Sequence, residues 1–161
     1  MKPQSILVRC ATWIFIACGF WLLGLGGYFM FVRPPLLPED LRYLGASATQ
    51  VGMLLPHLAS WLRNVFMVMG GFMAGCGVLI IFVSMRAVPP CVQGTGAALG
   101  FAGLLSVATM SWTNFALDSD FKWLLLVSAV AWLLGLVCYA VGNRAARPFV
   151  AGPPTVVDAP K

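Results

Sequence analysis

An all-α fold is what this sequence predicts: a polytopic integral membrane protein with four transmembrane helices in a bundle and short interfacial helices in the first extracytoplasmic loop. Three observations carry that expectation. Hydrophobic residues make up 60% of the 161 and charged residues 9%, against about 45 to 50% and about 25% in soluble domains, so there are too few charges to clothe a water-facing surface. The same proportions exclude disorder, which goes with few apolar residues and abundant charge. Finally, the charges bracket uncharged stretches, each long enough for a helix to cross hydrocarbon, roughly 20 residues.

Residues 10–32, between Arg9 and Arg33, carry no formal charge, and neither do residues 64–85 or 123–143. The stretch from Arg86 to Asp118 is longer, but Pro89 and Pro90 cannot continue a helix interior and push the third span towards the C-terminus. The expected spans are therefore 10–32, 62–85, 93–115 and 123–143, within a single domain 1–147. A flexible cytoplasmic tail is expected over 148–161, where Pro153, Pro154 and Pro160 break any pattern. Lys2 and Arg9 resemble a signal-peptide n-region, yet a signal h-region runs only about 7 to 15 residues to a small-x-small cleavage site. This run continues through Phe29, Met30 and Phe31 to Val32, which predicts a retained helix.

An even number of spans puts both termini on one side. With the termini inside, Lys2, Arg9, Arg86, Arg144, Arg147 and Lys161 face the cytoplasm against Asp158 alone, while Arg33, Arg42, Arg63 and Lys122 balance Glu39, Asp40, Asp118 and Asp120 outside. The excess of cations predicts cytoplasmic termini, and the composition suits a bacterial cytoplasmic (inner) membrane. The net charge of +5 does not imply nucleic acid, because the cations are spread singly at span ends, whereas phosphate binding needs a basic patch. The expected surroundings are the lipid bilayer.

The connecting segment 33–60 is long for an unstructured loop and predicts two short helices. Pro38 suits a first helical turn, Glu39 and Asp40 follow where the helix dipole favours acids, and Gly45 suits a stop. Ser47 and Gln50 have capping-box spacing for a second helix reaching Pro56. Within the spans, close helix contact relies on small residues. Gly71 and Gly75, Gly96 and Gly100, and Ala131 and Gly135 have the required four-residue spacing, for packing within the chain or between copies.

The search for chemistry gives mostly exclusions. Intramembrane charges flag transport and proton relays, and the four uncharged spans carry none. A four-helix multidrug exporter depends on a glutamate in its first helix, which residues 10–32 do not supply. Membrane thiol oxidoreductases need a close cysteine pair, and Cys10, Cys18, Cys76, Cys91 and Cys138 contain no C-x-x-C. A single histidine, His57, cannot supply axial pairs for haem. Neither a cofactor nor a metal is expected. Ser106, Thr109, Ser111, Asn114 and Ser128 are expected to bond back to their own helices. The residues that stand out are Glu39, Asp40, Arg42, His57, Arg63, Asp118 and Asp120, a polar outer-face cluster read as an ordered site or partner-docking surface. The leading expectation is a non-catalytic structural or accessory subunit that packs with itself, as a homo-oligomer, or with a larger membrane-protein partner. The alternatives are a transporter or channel component for a neutral solute, and an enzyme acting on a lipid or quinone at the outer interface.

Overall fold

A computed structural model describes residues 5–146, and all of its regular structure is helical. The expected tail 148–161, together with Lys2, Arg147 and Lys161, lies outside the described residues. Four helical stretches are long and apolar enough to cross a membrane: α1 (Ile6–Phe31), α4 (Leu58–Arg86), the run Thr95–Ala116, and α7 (Lys122–Ala146). Except for Thr95–Ala116, which lies inside its uncharged stretch, they extend past the uncharged stretches that mark them, because a helix does not end where its hydrophobic face ends. Arg9 therefore lies in the second turn of α1 and Arg63 in the second turn of α4. Arg86 closes α4 and Arg144 lies in the last turn of α7, positions where the helix dipole favours a cation.

The third span is not one regular helix. It comprises α5 (Thr95–Gly103), a π-helical turn (Leu104–Ala108) and α6 (Thr109–Ala116). At the turn the Ser106 hydroxyl donates to the Ala102 carbonyl at 2.5 Å and Thr109 Oγ1 to the Leu104 carbonyl at 2.8 Å, so polar groups of the widened ladder are satisfied inside the span. Two further short helices, α2 (Pro38–Leu44) and α3 (Ala48–Leu54), occupy the segment between α1 and α4. Gly45 follows α2 at φ 64°, a left-handed conformation that glycine adopts without steric penalty. Ser47 and Gln50 exchange the two capping hydrogen bonds at the start of α3, at 3.2 and 2.8 Å.

Helix α1 is the central element. It packs against α4 on one side and α7 on another, while α7 also contacts α5, the π turn and α6. One buried cluster draws Val8, Ala11, Phe15, Cys18 and Leu22 from α1, Ile80 from α4, Leu99 and Val107 from the third span, and Trp132 and Tyr139 from α7. Large apolar side chains on the other faces, among them Phe72, Leu105 and Val127, are exposed and suit a lipid environment.

The α1–α4 interface is made by backbones. A Cβ placed on Gly26 would lie 2.6 Å from the Gly70 carbonyl oxygen, and one on Gly70 equally close to the Gly26 oxygen. Seven residues along each helix the arrangement repeats: a Cβ on Gly77 would lie 2.6 Å from the Gly19 oxygen, and one on Gly19 3.0 Å from that of Gly77. The two helices run antiparallel with glycines at heptad spacing, so the same seam recurs every two turns. In lipid, where the hydrophobic drive between helices is absent, close approach of this kind is what supplies the van der Waals attraction between a pair.

The four-residue motifs behave differently from the packing expected within the chain. A Cβ on Gly71, Gly75 or Gly100 would meet nothing within 4 Å. Gly71 and Gly75 face outward because the seam of α4 is already set by Gly70 and Gly77, one and two residues away. Gly96 does lie against the Tyr139 ring and Gly135 against Phe15 and Ile14; Ala131 is partly buried against the core. Two glycines outside the motifs also receive neighbours, Gly103 under the Trp132 indole and Gly142 against Val8. The Trp132 Nε1–H donates to the Leu99 carbonyl at 3.0 Å, and its ring meets Phe15 edge-on with centroids 5.4 Å apart.

Candidate functional site

The loop joining α1 to α4 and the turn joining α6 to α7 meet at one end of the helices, here called the loop end. The opposite end, with residues 87–94, is the hairpin end.

Helix α2 is fixed at its start by Asp40. Its carboxylate accepts the Leu37 backbone N–H at 2.8 Å and a guanidinium hydrogen from Arg33 at 3.1 Å. Leucine has no side-chain acceptor to complete a reciprocal cap, so Asp40 alone closes this turn. Arg33 is held from three directions. Its guanidinium carbon lies 3.8 Å from the centre of the Phe66 ring and 5.4 Å from that of Phe29, and its side chain is only 9% exposed. Phe29 is on α1 and Phe66 on α4, so Arg33 joins both helices to the start of α2 through cation–π contacts and an ion pair.

One helical turn of α2 then reaches across to the α6–α7 turn. Glu39 is 8% exposed and accepts a hydrogen bond from the Ser119 hydroxyl at 3.2 Å, while Ser119 Oγ itself accepts the Phe121 backbone N–H. Arg42 donates to Asp120 at 3.0 Å, both side chains being largely exposed. The turn is shaped by Asp118, which adopts φ 50°, a left-handed conformation that Asp and Asn tolerate better than most residues, and which pairs with Lys122 one turn on.

The electrostatics follow from these pairs. The Arg42 guanidinium is held above its ordinary value by its hydrogen bond to Asp120 and by that residue's charge. The Asp118 carboxyl is held below its ordinary value by the hydrogen bond from Lys122 and then by its charge. A lowered carboxylate stabilises the fold fully above the ordinary Asp range and loses that contribution as pH falls through the lowered value. Asp118→Asn, which keeps the tolerance for left-handed backbone, is expected to melt below the parent protein at neutral pH in detergent, with the difference shrinking on acidification. A gap that stays constant down to strongly acidic pH contradicts the Lys122 assignment.

Of the seven residues singled out by the sequence, Glu39, Arg42 and Asp120 come together on the 117–121 turn, Asp118 joins them through that turn, and Asp40 faces Arg33 instead. His57 and Arg63 are not brought in. His57 precedes α4 with an exposed side chain, only its carbonyl accepting from Ser60 at 2.8 Å; Arg63 lies on α4 and forms no ion pair among the described residues. Sequence reasoning placed Arg33 and Lys122 on this face without assigning them to the site, and missed Ser119 altogether. The signal for Arg33 is Phe29 four residues earlier, one helical turn away; Ser119, an uncharged residue between two aspartates, carries no signal of its own.

What the arrangement can do chemically is narrow. Each of the four acids among the described residues is engaged by a guanidinium, an ammonium or a hydroxyl. No group of three or more His, Cys, Asp or Glu side chains that could hold a metal occurs among the described residues, and the five cysteines are free. Within the spans, Ser106, Thr109, Asn114 and Ser128 donate to carbonyls of their own span. Ser111 departs from that expectation: its hydroxyl crosses to the Leu125 carbonyl of α7 at 3.0 Å, sharing that acceptor with Ser128, because α6 and α7 lie against each other there.

No protein-family model matches this chain, and no curated protein or solved structure does either.

Proposed function

We propose that this chain is a structural or accessory subunit of a membrane assembly, a four-helix bundle that associates with itself or with a larger membrane protein and performs no catalysis of its own. The observation that carries the reading is the use made of the loop-end charges: Glu39 and Asp120 fasten α2 to the 117–121 turn, Asp40 holds the start of α2 to Arg33, and Asp118 holds the turn to Lys122. A general acid, a base or a proton carrier needs a group free to exchange its partner, and here the acids serve the structure. The outward glycines support the association. Asn64, Val68, Gly71, Gly75 and Val78 follow heptad spacing on the face of α4 turned away from α1, and a Cβ at either glycine meets open space. Small residues with a polar neighbour are what a second membrane helix packs against.

In this reading α2 and α3 lie at the membrane interface with Tyr43, Met53 and Leu54 turned to the headgroups, since these apolar side chains are exposed and interfacial helices bury such a face among lipids. The termini face the cytoplasm of a bacterial inner membrane, the side to which the cation excess of the sequence assigns them. Transport of a neutral solute is the reading this one displaces, since Ser106, Thr109, Ser111, Asn114 and Ser128, the polar side chains of the third and fourth spans singled out for it, are engaged with carbonyl acceptors. Purified protein reconstituted into vesicles is expected to leave the leak of glycerol, urea and small amides at the level of protein-free vesicles. Flux above that level, abolished by substitution in the third span, would overturn the accessory reading in favour of a channel.

A further inference from the structure

The hairpin end differs in charge from the loop end. Arg9, Arg86 and Arg144 are all exposed there, and all four acids among the described residues lie at the loop end. The three arginines share a level: Gly142 of α7 packs on Val8 of α1, and the antiparallel register that sets Gly19 against Gly77 and Gly26 against Gly70 carries Arg9 opposite the end of α4 at Arg86. None of them has an ion-pair partner among the described residues.

Beside Arg9 the surface is grooved. Ile6, Arg9, Cys10, Trp13 and Ile14 line a shallow depression of about 510 Å³ on the outward side of α1. Trp13 is 68% exposed and stands one turn deeper than Arg9, so the groove has a cationic rim towards the helix end and an apolar, aromatic floor towards the middle of the span. This gradient matches a phospholipid molecule. A guanidinium can bind a phosphate oxygen pair with two parallel hydrogen bonds, while an indole and branched aliphatic side chains pack along an acyl chain.

We propose that this groove is a binding site for one anionic phospholipid of the leaflet at the hairpin end, with Arg9 on the headgroup phosphate and Trp13 with Ile14 along the acyl chain. Charge complementarity decides the headgroup class. A zwitterionic lipid presents a cation as well as a phosphate to an end that already carries three arginines without acidic neighbours, whereas an anionic lipid neutralises part of that charge. Basic residues at the membrane surface select anionic lipids on this ground.

The test is native mass spectrometry of the purified full chain in detergent, titrated separately with dioleoyl phosphatidylglycerol and dioleoyl phosphatidylcholine. One phosphatidylglycerol molecule is expected to be retained, about fivefold more strongly than phosphatidylcholine, an order of magnitude consistent with one cation at the surface. Arg9→Gln is expected to remove most of that preference, Arg9→Lys to keep part of it, and Trp13→Ala to weaken retention of both lipids. Arg63→Gln, at the other end, is expected to leave it unchanged. Equal retention of the two lipids, an Arg9→Gln variant that keeps the full preference, or equal weakening by Arg9→Gln and Arg63→Gln would overturn the site. Arg9 is exposed and outside the core, and a melting temperature matching the parent protein separates impaired binding from impaired folding.

Discussion

Gly26→Leu is expected to disrupt the fold, and Gly71→Leu to leave the isolated chain close to its original stability. At Gly26 the first added carbon already collides with the Gly70 oxygen and with the backbone of Ala74, and neither can rotate away as a side chain would. The helices must separate, and the attraction forfeited along the seam is not recovered in lipid, which is as apolar as leucine. Overpacking a core costs about 1 to 3 kcal/mol and occasionally more; with backbone on both sides of the collision, a penalty at the upper end of that range or beyond is expected. Gly70→Leu and Gly77→Leu should behave alike. At Gly71 open space receives the side chain, and the change is expected to remain within about 0.5 kcal/mol, the usual range for surface positions. Unfolding titrations in mixed detergent micelles compare the variants directly. Equal destabilisation at Gly26 and Gly71 contradicts the interface.

Arg33→Ala is expected to cost about 2 to 3 kcal/mol, less than the roughly 3 to 5 of a fully buried ion pair, because Asp40 retains some solvent and the Leu37 N–H. Arg33→Lys should recover less than half of that stability. An ammonium can still pair with Asp40, but it cannot stack flat on the Phe66 ring as a guanidinium does. Limited proteolysis between α1 and α4 should accelerate in both variants, because α2 loses its attachment to the two long helices. If lysine restores the parent behaviour completely, the stacking contributes nothing. The Arg42–Asp120 pair is expected to matter far less, because both side chains are largely exposed and water screens their attraction.

The four long helices were legible in the sequence because charge is excluded from hydrocarbon, so the gaps between charged residues measure them. The turn residues of the loop were legible for a different reason: proline, glycine and the Ser47–Gln50 pair have backbone preferences that act locally. The α1–α4 seam was not. Gly19 and Gly26, like Gly70 and Gly77, are spaced seven apart, and glycine is common enough in these spans that four-residue pairs arise beside them; which face meets a neighbour depends on how the helices are rotated about their axes. The π turn was equally hidden, since Leu104–Ala108 contains no residue that forbids an ordinary helix. At the loop end the sequence gathered most of the charges without their pairing. Arg33 lies in the chain as a flanking cation, and only the approach of α4, which brings Phe66 over it, makes it a junction.

The central claim, that the chain works by association through its outward face on α4, is tested most directly by photo-crosslinking in the native membrane. A photoreactive amino acid at Val68, which is 60% exposed and lies on the face with Gly71 and Gly75, should capture a protein, either a second copy or a larger membrane partner, while the same group at Val127 on α7 serves as the lipid-facing comparison. The account predicts a discrete protein adduct from Val68 that disappears when Gly75 is replaced by leucine. Lipid adducts alone from Val68, at the level seen from Val127, would contradict it.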